Sequence, residues 1–201
     1  LKTANGADGY VAKSNGTNSK KMFSFQLSEL LISWPSLGTI VVQTKPATGV
    51  TGMVFSVDSK TGNVSSLISA QGVSATADPA FKKIAYSIAD SSHVSSYIHT
   101  VSTGLNELLA PTVIPEKCFW NTTVAAAAIA YCASPDSEQD SNYMDAWHKG
   151  FMSVGDDIWK IDFNAGKSTL VTIPGGKQGG VASDIIEMAL SPDERYLSFT
   201  T

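Results

Sequence analysis

The side chains best equipped for chemistry crowd into one stretch, Ser134 to Asp157. It holds Asp136, Glu138, Asp140, Asp145, Asp156 and Asp157 beside Tyr143, Trp147, His148 and Phe151. Hard carboxylate oxygens suit Ca2+. The run Asp140-Ser141-Asn142-Tyr143-Met144-Asp145 lacks the glycine and the distal glutamate of an EF-hand, so no metal is expected. Tyr143 and Trp147 could instead form an aromatic platform for a sugar or a peptide. His148, Asp156 and Asp157 are candidates in the same stretch. These five are the candidate ligand-binding residues, because loops that leave a rigid scaffold commonly carry binding. The competing expectation is that the aromatics fold back over the insertion's own core and the acids form a solvated face.

Catalysis finds little support. No Gly-x-Ser-x-Gly elbow is present, and Gly150-Phe151-Met152-Ser153-Val154-Gly155 has the wrong spacing. His93 and His99 read as surface residues rather than bases. Nothing in the chain specifies a Ser-His-Asp triad. Gly175-Gly176-Lys177-Gln178-Gly179-Gly180 lacks the order of a phosphate-binding loop and reads as a connection between repeats. No cofactor is called for. Asn15-Gly16-Thr17, Asn63-Val64-Ser65 and Asn121-Thr122-Thr123 match the glycosylation sequon, a pattern common by chance.

Cys118 and Cys132 are the only cysteines, 14 residues apart on the two arms of one expected hairpin. Antiparallel pairing brings such side chains within disulfide reach. A disulfide implies an oxidising compartment, so the expected location is periplasmic, secreted or cell-surface. Two buried free thiols are the alternative. Zinc is not expected, because no Cys-x-x-Cys or His-x-x-x-His spacing occurs.

The elements that must carry these residues recur. One hairpin type appears at Leu31–Val42, at Ala75–Tyr86, at Cys118–Asn121 running into Ala128–Cys132, and at Met188–Phe199. Pro35 and Pro79 are 44 apart, Pro79 and Asn121 are 42, and Asn121 and Pro192 are 71. A second type alternates with it around Gly16, Gly62, Gly104 and Gly166. Glycine suits those turns because they need positive φ. Flanks such as Val54-Phe55-Ser56-Val57-Asp58 alternate with a period of two, a strand signal. About 16 strands in repeats of roughly 40–45 residues make an all-β propeller of about four four-stranded antiparallel blades. An all-β sandwich is the plainer rival. The irregular insertion at 134–156 accounts for the long third interval. The best helical window, Ser24 to Leu31, is short, and no long helix is expected.

Leu190-Ser191-Pro192-Asp193-Glu194-Arg195-Tyr196-Leu197-Ser198-Phe199 resembles the repeat signature of TolB-like and WD-repeat-like propellers. Asp78-Pro79-Ala80-Phe81-Lys82-Lys83-Ile84-Ala85-Tyr86 is a degenerate copy, and Asp157-Ile158-Trp159-Lys160-Ile161-Asp162 resembles the strand that follows it. The copies at Trp34 and Trp120 lack the Ser-Pro-Asp turn. The resemblance extends to propeller domains of dipeptidyl-peptidase-type and prolyl-oligopeptidase-type enzymes. It implies a fold, not an activity.

Residues 1–201 therefore read as a single propeller domain or a propeller fragment. The closing hairpin could complete the opening one in a four-bladed ring, or the chain could be an arc of a larger ring. Both ends look cut from something longer. Charged residues make up 16% of the chain and hydrophobic ones 43%, which suits a packed β-protein. Fourteen basic against 18 acidic residues exclude nucleic acid as the main partner. No apolar run reaches the roughly 20 residues of a membrane span. The expected function is a non-enzymatic extracytoplasmic binding or scaffold module with a protein or glycan partner. The alternative is the propeller of a serine peptidase whose catalytic domain lies outside this chain. A glycan-processing site would need two carboxyls about 5–10 Å apart in a cleft.

Overall fold

A computed structural model describes residues 1–90, 92–122, 128–175 and 183–201. Every sheet is an antiparallel meander, as short strands joined by tight turns dictate. The first sheet contains β1 (Lys2–Thr3), β2 (Gly6–Val11) and β3 (Lys20–Phe25). Three four-stranded blades follow. They are β4 (Leu30–Ser36) to β7 (Val64–Gln71) through β5 (Thr39–Thr44) and β6 (Thr51–Asp58); β8 (Ser74–Ala77) to β11 (Leu105–Leu109) through β9 (Lys83–Ala89) and β10 (Val94–Thr100); and β12 (Cys118–Trp120) to β15 (Lys167–Thr172) through β13 (Ile129–Pro135) and β14 (Asp156–Asp162). A two-stranded sheet of β16 (Glu187–Leu190) and β17 (Leu197–Thr200) ends the series.

All eight hairpins read from the sequence are antiparallel pairs here. Their turns explain the recurrence. Asp58 Oδ1 accepts from the backbone N–H of Lys60 and Thr61, at 3.0 and 2.7 Å, just before Gly62. Asp162 Oδ1 does the same for Asn164 and Ala165 before Gly166. The Ser-Pro-Asp turn is closed by Ser191 Oγ, which donates to Asp193 Oδ1 and accepts from the Tyr196 N–H. In the degenerate copy Asp78 replaces that network, accepting from the N–H groups of Ala80, Lys82 and Lys83. Such side-chain turns fix hairpin register without help from the core.

Consecutive sheets face each other, and each strand of period two feeds two cores. Ile40 and Val42 join Met22 and Phe23 on one side of β5, while Val41 joins Val54, Val73 and Ile84 on the other. Ala85, Ile98, Trp120 and Ile161 form the next core. Ile158, from the opposite face of β14, packs with Ala133 and Ile185. Polar ties cross between blades as well. Gln43 exchanges two 2.9 Å hydrogen bonds with the backbone of Ala75, and Trp120 Nε1 donates to Thr76 Oγ1.

Of the two arrangements expected, the blades form the arc: among the described residues, neither β16 nor β17 pairs with the first sheet. Two details differ from the expectations. The insertion carries a short helix, α1 (Tyr143–His148). His99 is buried rather than at the surface, because β10 is an inner strand of its sheet and Asn106 on β11 meets His99 Nδ1 at 2.9 Å. The expected turn at 123–127, with the end of its sequon, and the glycine-rich connection at 176–180 lie outside the described residues.

Candidate functional site

The site starts from the connection between β11 and β12. Pro115 opens a single 3-10 turn, Pro115–Lys117, as its fixed φ favours. The turn delivers Lys117 into the interior, where its side chain is fully buried. There the ammonium donates to Asp156 Oδ2 at 2.7 Å and to Asp184 Oδ1 at 2.5 Å. It also lies 4.8 Å from the centre of the Trp147 ring, a cation–π distance. Trp147 Nε1 in turn donates to Asp184 Oδ2 at 3.0 Å. The N–H of Ile185 donates to Asp156 Oδ2, and the N–H of Asp156 donates to the Ser183 carbonyl. One lysine thus joins the β11–β12 connection, the start of β14, the segment leading into β16, and α1.

The electrostatics follow from one buried cation facing two carboxylates. Burial works against the charged lysine, yet the hydrogen bonds it donates to Asp156 and Asp184 outweigh it and hold Lys117 above its usual value. Burial pushes the Asp156 carboxyl up, against the pull of Lys117. The two directions coexist because Lys117 divides its charge between two acceptors, and Asp184 repels the charge on Asp156. Among the described residues Asp156 Oδ1 has no hydrogen-bond partner.

Tyr143 is fully buried beside this network, and burial pushes its phenol up to about 12. Lys117 pulls the other way, but its Nζ is 6.0 Å from the ring centre and the hydroxyl has no hydrogen-bond partner among the described residues. A buried hydroxyl without a partner contributes nothing that phenylalanine would not. Tyr143→Phe should therefore leave melting at pH 7 unchanged or raise it slightly. The alkaline limb should change. The neutral phenol is favoured in the folded state, so the group leaves stability independent of pH below about pH 10 and lowers it as pH rises from about 10 to 12, where the unfolded chain ionises first. The variant should melt less steeply with pH across that window. A residual slope should remain from Tyr86, whose phenol burial also raises. Identical alkaline profiles for the two proteins would refute the assignment.

The α1 insertion reaches beyond its own blade. The backbone N–H of Thr48, in the β5–β6 loop, donates to Asp145 Oδ1 at 3.1 Å, and Thr48 Oγ1 donates to the Ser141 carbonyl at 3.0 Å. An isolated bridge joins His93 and Asp140. The insertion's own core contains Tyr143, Met144, Ile114 and Val94, with Trp147, Met152 and Val154 packed against it. Between α1 and the second sheet lies a cavity of about 480 Å3, lined on one side by Asp145, His148 and Lys149 and on the other by Lys45, Pro46 and Val50.

The five sequence candidates therefore divide. Tyr143, Trp147 and Asp156 come together around Lys117. His148 lies at the cavity, with Nε2 3.8 Å from Glu116 Oε1. Asp157, next to Asp156 along β14, points to the opposite face of the sheet and pairs across from Ser134. Asp156 is a buried member of an ion pair rather than part of a solvated acidic face. Sequence reasoning missed Lys117 and Asp184. Lys117 precedes Cys118 in the strand-entry turn, a position that commits it to the interior. Asp184 follows a glycine-rich run and carries no local signal.

The fold and this inter-blade network define a class, a propeller arc with an anchored insertion. No family model matches the sequence, and no curated protein matches it. Solved structures do match in shape. TolB from Acinetobacter baumannii aligns with a TM-score of 0.55 at 17% identity, over 96% of this chain and 42% of that one. An oligogalacturonate lyase in complex with manganese aligns with a TM-score of 0.61 at 11% identity, over 94% of this chain and 49% of that one. The chain has a TolB-like β-propeller fold and spans less than half the length of either of these structures.

Proposed function

We propose that residues 1–201 act as one propeller unit, a non-enzymatic binding module on the extracytoplasmic side, and that the cavity beneath α1 receives a segment of a protein partner. The observation that carries this reading is the anchoring of α1. It is held from below by Lys117 and Asp184 through Trp147, and from the side by Thr48. A cavity with fixed walls binds without the cost of ordering them. Its lining mixes an apolar wall, Leu27, Pro46, Ala47 and Val50, with charges of both signs, Glu29, Asp145, Lys45 and Lys149. That combination suits a peptide segment. A sugar is served better by an exposed aromatic face, and no Trp, Tyr or Phe lines this cavity. The Cys118–Cys132 disulfide supports the location, since such bonds persist in oxidising compartments. Among the described residues no helix is long and apolar enough to cross a membrane.

A displayed random-peptide library and an oligosaccharide array, both probed with this protein, test the reading. Peptides should be enriched, and Val50→Glu should abolish their binding, since Val50 is exposed and its replacement leaves the core intact. Oligosaccharide binding without peptide enrichment, or an enriched set in which no peptide is released by Val50→Glu, would overturn it.

A further inference from the structure

A second concavity lies on the other side of the insertion, between the end of β11 and residues 134–139. It measures about 470 Å3. Val94, Leu109, Ala110, Pro111 and Pro135 contribute apolar lining, and Leu108 stands on its edge 71% exposed. Asp136 and Glu138 are exposed on the opposite lip. Among the described residues neither acid makes an ion pair and no lysine or arginine lines the groove. The other titratable group in the lining is His93, whose Nδ1 lies 2.7 Å from Ser92 Oγ and 3.7 Å from Asp90 Oδ1. The walls are tied together: Ser134 Oγ donates to the Thr112 carbonyl at 2.7 Å, and the Val94 N–H donates to the Gln139 carbonyl at 3.1 Å.

We propose that this groove is a docking surface for a partner-protein segment that carries lysine or arginine next to leucine-like side chains. An exposed leucine beside an apolar trough is surface that association removes from water. Two carboxylates on one lip, without an ion pair or a facing cation among the described residues, complement a basic residue and repel an acidic one. The groove shares no lining residue with the α1 cavity, so this inference stands or falls apart from the function proposed above.

Fluorescence anisotropy with two labelled hexapeptides tests it, one alternating leucine with lysine and one alternating leucine with glutamate. The lysine peptide should bind and the glutamate peptide should not. The Asp136→Asn/Glu138→Gln double variant should weaken binding roughly fivefold to tenfold, as expected for two rim charges. Leu108→Ser should weaken it as well. Glu187→Gln/Glu194→Gln removes the same charge away from both cavities and should leave affinity unchanged. Equal binding of both peptides, or equal losses in the two double variants, would overturn the proposal. So would a dimer of this chain that the Asp136→Asn/Glu138→Gln variant dissociates, since the groove's occupant would then be a second copy.

Discussion

Lys117→Met should lower the stability of the protein by about 3–5 kcal/mol, the usual cost of removing one partner from a buried ion pair. Methionine fills much of the same volume, so the loss is electrostatic rather than a cavity. It strands Asp156, buried at Oδ2 against the departed ammonium, and Asp184, whose side chain is 14% exposed. For a chain of this size the midpoint should fall by roughly 10 °C. Two companion measurements separate this account from general misfolding. Burial already pushes the Asp156 carboxyl up, and without the cation that opposes it the folded state holds its proton more readily still, so the variant should regain stability as pH falls. Neutralising the acids too, in Lys117→Met/Asp156→Asn/Asp184→Asn, should recover part of the loss at pH 7. A single variant that melts within a degree or two of the parent would sink the assignment of Lys117 as the joining residue.

That variant also bears on the cavity. Trp147 is held by Lys117 from one side and by Asp184 from the other. Once the ammonium is gone, α1 keeps its tie to Thr48 and its apolar contacts with Ile114 and Val94. Peptide binding should weaken in Lys117→Met even at temperatures where the blades remain folded. Local stability and cavity geometry are coupled here because one network serves both.

The blades were legible because their information is local. Asp58 and Gly62, or Asp162 and Gly166, specify a hairpin within a few residues, and alternation along β5 and β14 specifies two buried faces. The disulfide was legible for the same reason, since two cysteines on the arms of one hairpin need no distant contact. The Lys117 network was not. Lys117, Asp156 and Asp184 are 39 and 28 residues apart along the chain; the first two meet only once β12 and β14 flank β13 in one sheet, and Asp184 arrives on the segment leading into the next. Tyr143, Trp147 and Asp156 could be singled out by type, yet their shared partner could not. His99 was misplaced by composition. Its neighbours Ser95, Ser96 and Thr100 look polar, but Ser96 turns inward and exchanges hydrogen bonds with the Val113 backbone.

The disulfide should contribute nearly as much as the lysine. Cys118 and Cys132 sit directly opposite each other on β12 and β13, with Cα atoms 4.1 Å apart. Closing a loop of about 15 residues restricts the unfolded chain by about 3 kcal/mol in the chain-entropy account. Cys118→Ala/Cys132→Ala should therefore lower the midpoint by roughly 6–12 °C, and the parent protein in excess dithiol should melt close to the variant. An unchanged midpoint in both would show that the bond constrains nothing that β12 does not already hold. The position predicts more than a simple sum. β12 is only three residues long, and Lys117 immediately precedes it. A looser β12 would blur the position from which Lys117 meets Asp156 and Asp184. The cysteine pair and Lys117→Met should then be non-additive, with a coupling of about 0.5–3 kcal/mol in a double-mutant cycle. Strict additivity would mean that the disulfide and the ion network stabilise the fourth sheet independently. Coupling would mean that the bond also keeps the lysine, and through it α1, in place.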